Sequence, residues 1–190
     1  MTIINTALGR IATLIAICSV AGPVFAENDA ESTRLGSFTI ETTPAAILGD
    51  EAAARFAAIV QADELIEWEF TVPESYDPEN PPGLLVYISP SHSGYIPTGW
   101  GRLTTSKNLI WVAANKSSNQ VQVSRRVTYA LLAVGLADKH YEIDRDRIYL
   151  SGFSGGARVS GLLAPSYPGV FRGAIYMGGA EIWGPEEAPI

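Results

Sequence analysis

The sequence predicts an α/β fold: a mostly parallel sheet with helices on both faces. Three observations carry this. Leu84-Leu85-Val86-Tyr87-Ile88 and Leu109-Ile110-Trp111-Val112-Ala113-Ala114 are continuous apolar runs, as expected of strands buried on both sides. Val121 to His140 carries apolar residues at Val127, Ala130, Leu131, Val134 and Leu136, a helical spacing. Residues 147–164 then pass from a short apolar run, through Gly-Phe-Ser-Gly-Gly, into a second helical stretch. Strands alternating with helices imply a parallel sheet covered on both faces.

Taken in order, residues 1–26 read as a secretory signal peptide. Arg10 supplies the positive n-region, Ile11 to Gly22 the apolar core, and Val24-Phe25-Ala26 a small-x-Ala cleavage site before Glu27. The apolar core is short for a membrane span, so no stable membrane anchor is expected after cleavage. The single cysteine, Cys18, lies inside this segment, and the bulky Ile17 before it disfavours lipidation. Residues 27–49 are polar and mixed and read as a flexible leader. The remainder, 50–190, reads as one domain. Asp50 to Ala62 is Ala-rich and reads as a helix with Phe56, Ile59 and Val60 on one side. Ile66, Trp68, Phe70 and Val72 alternate with Glu67, Glu69 and Thr71, which predicts a half-buried strand near the sheet edge. Pro73 to Pro82 is a turn region. A Ser-, Gly- and Pro-rich loop joins the two apolar runs. Ile148 to Leu150 and Ala174 to Met177 complete the set of strands.

Composition narrows the function. Loss of residues 1–26 removes one arginine and no acid, moving the formal charge from −7 to −8 and leaving 164 residues. No basic run exists, which disfavours nucleic acid as a partner. A mature chain without cysteine has neither thiol catalysis nor cysteine–zinc chemistry, fits a periplasmic or secreted location, and calls for no metal and no cofactor.

The chemistry concentrates at Gly152-Phe153-Ser154-Gly155-Gly156. A G-x-S-x-G turn between a strand and a helix is the nucleophile-elbow pattern. A serine at the tip of so tight a turn projects its hydroxyl into the open. Gly152 and Gly156 remove side chains where strand and helix nearly touch. The helix that follows aims its free N–H groups at the reacting centre, where negative charge develops. The bland alternative is a Gly-rich turn with a capping serine.

This order of parts resembles the α/β-hydrolase fold, and more closely the secreted esterases of the polyhydroxyalkanoate-depolymerase and feruloyl-esterase type. The resemblance rests on Tyr141 to Ala157, an acidic–basic loop followed by a short strand and the elbow, and on Val170 to Tyr176 as entry to the next strand. It covers about residues 64–183. It implies Ser154 as nucleophile of an acyl-enzyme and an oxyanion hole built from the N–H of Gly155 and an N–H of the loop Ser89 to Gly94. In that loop Ser-Pro-Ser-His replaces the usual His-Gly, so Ser91 and His92 both stand as donors. The substrate would be a small-molecule or polymeric ester, although the same fold also houses peptidases.

In this fold the triad runs Ser, acid, His along the chain, yet no histidine follows Ser154. His140 ends a helix on the edge opposite the elbow. His92 sits on the correct edge, in the oxyanion loop. Glu181 occupies a position where some relatives carry the acid. The resembled family has at least two further strands after Met177, so a C-terminally truncated esterase is expected, weak or inactive as it stands. A non-catalytic remnant or binding protein of the same fold is the other reading.

Overall fold

The computed structural model describes residues 33–180. The signal-peptide segment, Cys18 and Glu181 lie outside the described residues. Six strands build one sheet: β1 (Gly36–Thr42), β2 (Ile66–Val72), β3 (Gly83–Ile88), β4 (Leu109–Ala114), β5 (Ile148–Phe153) and β6 (Gly173–Met177). Their order is β1-β2-β4-β3-β5-β6. β2 runs antiparallel to β1 and to β4, and β3, β4, β5 and β6 are mutually parallel. β3 is buried along its whole length, as its unbroken apolar run requires, whereas β2 buries Ile66, Trp68, Phe70 and Val72 and turns Glu67, Glu69 and Thr71 toward the other face.

One face carries α4 (Val123–His140) and α5 (Gly155–Ser166). Their Val127, Leu131, Leu136, Val159 and Leu163 join Val86, Ile110, Val112 and Leu150 in the main core. The opposite face is covered by α3 (Trp100–Ser106), whose Trp100 packs edge-on against Trp111 at 6.0 Å, over Leu85, Tyr87 and Ala113.

Two expectations need correction. Residues 36–42 are not part of a flexible leader: they form β1, pairing in full register with β2. Phe38 stacks on Phe70 with ring centroids 5.5 Å apart, so β2 lies one strand in from the edge. A short helix, α1 (Pro44–Leu48), follows, its first turn capped by the Thr43 hydroxyl, which accepts from the Ala46 N–H. The helix expected over Asp50 to Ala62 is regular only as α2 (Asp50–Ala54). Beyond it the chain continues as turns that still bury Phe56 and Val60.

The acidic–basic loop before β5 is a brace on the strands' N-terminal edge. Asp144 caps the 3₁₀ turn Arg145–Arg147 by accepting from the Asp146 N–H. Arg145 donates twice to Asp138, and Arg172, at the entry to β6, donates to Asp146 at 2.7 Å. These pairs are exposed, so their value lies in registering β5 and β6 more than in stability.

Candidate functional site

Ser154 is the single residue between β5 and α5. Its backbone stands at φ 52, ψ −118, a region that favours glycine and costs a serine about 1–3 kcal/mol. Two hydrogen bonds hold it there. The Ser154 N–H donates to the Met177 carbonyl at 2.7 Å, and the Ser154 carbonyl accepts from the Arg158 N–H at 3.2 Å. The serine is partly exposed, and its hydroxyl does not cap the helix that it precedes.

The flanking glycines are required by contact. A Cβ on Gly152 would come within 2.4 Å of the Gly156 carbonyl carbon, and one on Gly156 within 1.8 Å of the Ile88 carbonyl oxygen. Strand, helix and the end of β3 thus meet backbone to backbone, with no room for a methyl group. Gly155 opens α5, so its N–H belongs to the first turn, where amides have no intrahelical acceptor. The arrangement offers a projecting hydroxyl beside an N–H at the positive end of a helix.

The loop 89–94 follows β3 on the same sheet edge. The Ser91 N–H donates to the Ser89 hydroxyl at 3.1 Å, and the Ser89 hydroxyl donates to the Ser93 carbonyl at 2.5 Å. Of the two candidate donors, Ser91 is therefore engaged within its own loop. His92 is exposed, and its carbonyl accepts from the Lys116 N–H at 2.6 Å. His140 closes α4, on the edge where β5 begins, and borders a cleft with Arg34, Phe38, Phe70 and Tyr141. Of the two histidines, His92 follows a strand on the elbow's edge of the sheet, whereas His140 precedes β5 on the other edge.

Three residues at this edge escaped the sequence reading. Asn115 is buried; its Oδ1 accepts from the Gly94 N–H at 2.7 Å, while its amide donates to Glu67 and Glu69. Asn119 lays its carboxamide over Gly155, with Oδ1 2.1 Å from where a Gly155 Cβ would stand, and its N–H donates to the Pro90 carbonyl at 3.0 Å. Arg126, on the first turn of α4, is buried and reaches the Ser89 carbonyl at 2.8 Å. The available signal was a polar run, Asn115 to Asn119, directly after a buried strand.

The strand order, the two covered faces and a strained serine between β5 and α5 decide the architecture, and comparison with solved structures agrees. The chain has the α/β-hydrolase fold. The S-formylglutathione hydrolase FrmB of Staphylococcus aureus superposes with a TM-score of 0.57 at 12% identity, over 84% of this chain and 64% of that one. The acetyl xylan esterase of Aspergillus awamori gives 0.50 at 18% identity, over 57% and 45%. A candidate dipeptidyl aminopeptidase IV of Bacteroides ovatus gives 0.57 at 18%, over 82% and 23%. The chain thus spans less than two thirds of the length of each. No protein-family model matches the sequence, and no curated protein matches it significantly. Among the described residues no group of His, Cys, Asp and Glu could hold a metal ion, and no helix is long and apolar enough to cross a membrane.

Proposed function

We propose that this chain is the core of a secreted or periplasmic serine hydrolase that cleaves carboxylic esters through an acyl-enzyme on Ser154, of the polyhydroxyalkanoate-depolymerase and feruloyl-esterase type. The observation that carries the reading is the backbone of Ser154 itself. A non-glycine residue at φ 52, ψ −118, between two glycines that tolerate no Cβ, is strain that a mere connecting turn has no need to hold, and strain of this kind clusters at active sites. In the reaction the Ser154 hydroxyl loses its proton to an imidazole as its oxygen attacks the ester carbon. The carbonyl oxygen becomes an oxyanion facing the Gly155 N–H and an amide of the 89–94 loop. Collapse expels the alcohol, which takes the proton back from the imidazolium. Water, deprotonated in the same way, then releases the acid.

The imidazole is the missing part. These 190 residues hold no histidine after Ser154, so the reading requires an acid and a histidine supplied from outside them, in the order that the fold family uses. That no histidine follows Ser154 in this sequence favours one competing reading, a non-catalytic protein of the same fold. A peptidase is distinguished only by substrate.

Hydrolysis of nitrophenyl acetate decides between them. Residues 1–190 alone should turn over very slowly or not at all, because a serine without its base is a weak nucleophile. The same chain extended by a downstream coding segment that carries Asp and His should turn over fast, and Ser154→Ala should abolish it. No encoded segment, or an extended chain that stays inert, supports the non-catalytic reading. Robust turnover by the bare chain that His92→Ala removes would make His92 the base.

A further inference from the structure

Arg126 is the one charged side chain among the buried polar groups of the described residues. It is 3% exposed, and among the described residues no carboxylate pairs with it. Burial pulls its pKa below the ordinary guanidinium value. Its Nε–H is buried without a hydrogen-bond partner. It also stands in the first turn of α4, where the helix dipole disfavours a cation. Its neighbour Arg125 shows the usual resolution at the same helix end: it pairs with Glu64 and lies over the Tyr129 ring. A buried guanidinium without an acid is retained against desolvation only where its donors have something specific to hold.

What they hold is the pair of segments that would form the oxyanion hole. Nη2 donates to the Ser89 carbonyl at 2.8 Å, and Nη1 donates, at a longer 3.4 Å, to the Gly155 carbonyl. One planar group therefore bridges the residue that opens the 89–94 loop and the residue directly after Ser154. The rest of that loop is tied to the β4–α4 connection by the Asn119 N–H on the Pro90 carbonyl, the Lys116 N–H on the His92 carbonyl and Asn115 on the Gly94 N–H. Asn119 also touches both, its carboxamide over Gly155 and its N–H on the Pro90 carbonyl, but Arg126 alone among these contacts donates a side-chain hydrogen bond to each.

We propose that Arg126 is a positioning residue of the oxyanion site: its guanidinium sets the spacing between the 89–94 loop and the elbow, and so the gap in which the tetrahedral oxygen is received. This rests on Ser154 being the nucleophile. The rigid fork matters, since two carbonyls are held at a fixed separation. Lysine, a single point donor, keeps one of them.

The test uses the 190-residue chain with Arg126→Met and Arg126→Lys, read by hydrogen exchange and by the rate at which a fluorophosphonate modifies Ser154. Arg126→Met is expected to speed exchange about tenfold or more in residues 89–94 and 154–158, the loss expected for bonds to a charged donor, with β4 unchanged. Arg126→Lys is expected to restore protection in 89–94 and not in 154–158. Labelling is expected to fall with Met and recover in part with Lys. Unchanged exchange at both segments, or acceleration spread evenly over the fold, overturns the proposal. So does faster local exchange that leaves the labelling rate untouched. If the unsubstituted chain is not labelled at Ser154 at all, the nucleophile reading fails, and the exchange pattern still decides whether Arg126 bridges the two segments.

Discussion

At the scale of single residues, the central fact is a serine held where glycine belongs. Ser154 sits at positive φ because β5 and α5 must turn about one residue, and its N–H is pinned to the Met177 carbonyl. Structural economy alone would put glycine there. Ser154→Gly should therefore be more stable than Ser154→Ala by about 1 kcal/mol in urea unfolding, since alanine keeps the strain and glycine releases it. Equal midpoints would mean that the turn stores no strain. The elbow was legible in the sequence because the pattern and its glycines are local. The residues around it were not. Arg126 follows Arg125 in a helix whose periodicity gives no sign of which arginine turns inward. Only the fold shows that the first turn of α4 lies behind the site.

At the scale of elements, the sequence was readable where burial is two-sided or strictly alternating. β2, β3 and β4 follow directly from their residues. β1 was hidden because only Phe38 and Ile40 mark its inward face, too few to stand out from the polar stretch around them. The strand exists because β2 offers it a partner and Phe70 a stacking surface. Phe38→Ala should then cost about 1–2 kcal/mol, less than for a fully buried phenylalanine because Phe38 is half-buried. Chemical unfolding measures this, and no loss would return residues 36–42 to the status of an appendage. α3 was hidden for a related reason. Trp-Gly-Arg-Leu-Thr-Thr-Ser is a weak helix former, and the packing of Trp100 on Trp111 holds it in place.

At the scale of the whole molecule, two tyrosines on the main core give the fold a defined alkaline limit. Tyr141 and Tyr167 are each pushed up to about 12, chiefly by burial. For Tyr141, Arg34 opposes the shift and Tyr76 adds to it. A raised folded-state value means that the native state holds these protons more tightly than the unfolded chain, whose tyrosines titrate near 10. The stability they contribute is thus fully present below pH 10 and is lost as pH rises from 10 to 12. Thermal unfolding followed over that range should show a falling midpoint, and Tyr141→Phe together with Tyr167→Phe should flatten the decline. A slope unaffected by both substitutions would place the alkaline transition elsewhere.

Whether Ser154 is a nucleophile is read from covalent labelling. The 190-residue chain and its Ser154→Ala variant are incubated with a fluorophosphonate, and the adduct is located by intact-mass and peptide mass spectrometry. The expected result is one adduct per chain, slow to form, carried by the peptide containing Ser154 and absent from Ser154→Ala. Adducts that appear equally in both proteins, or prolonged incubation that leaves Ser154 unmodified, would contradict the account.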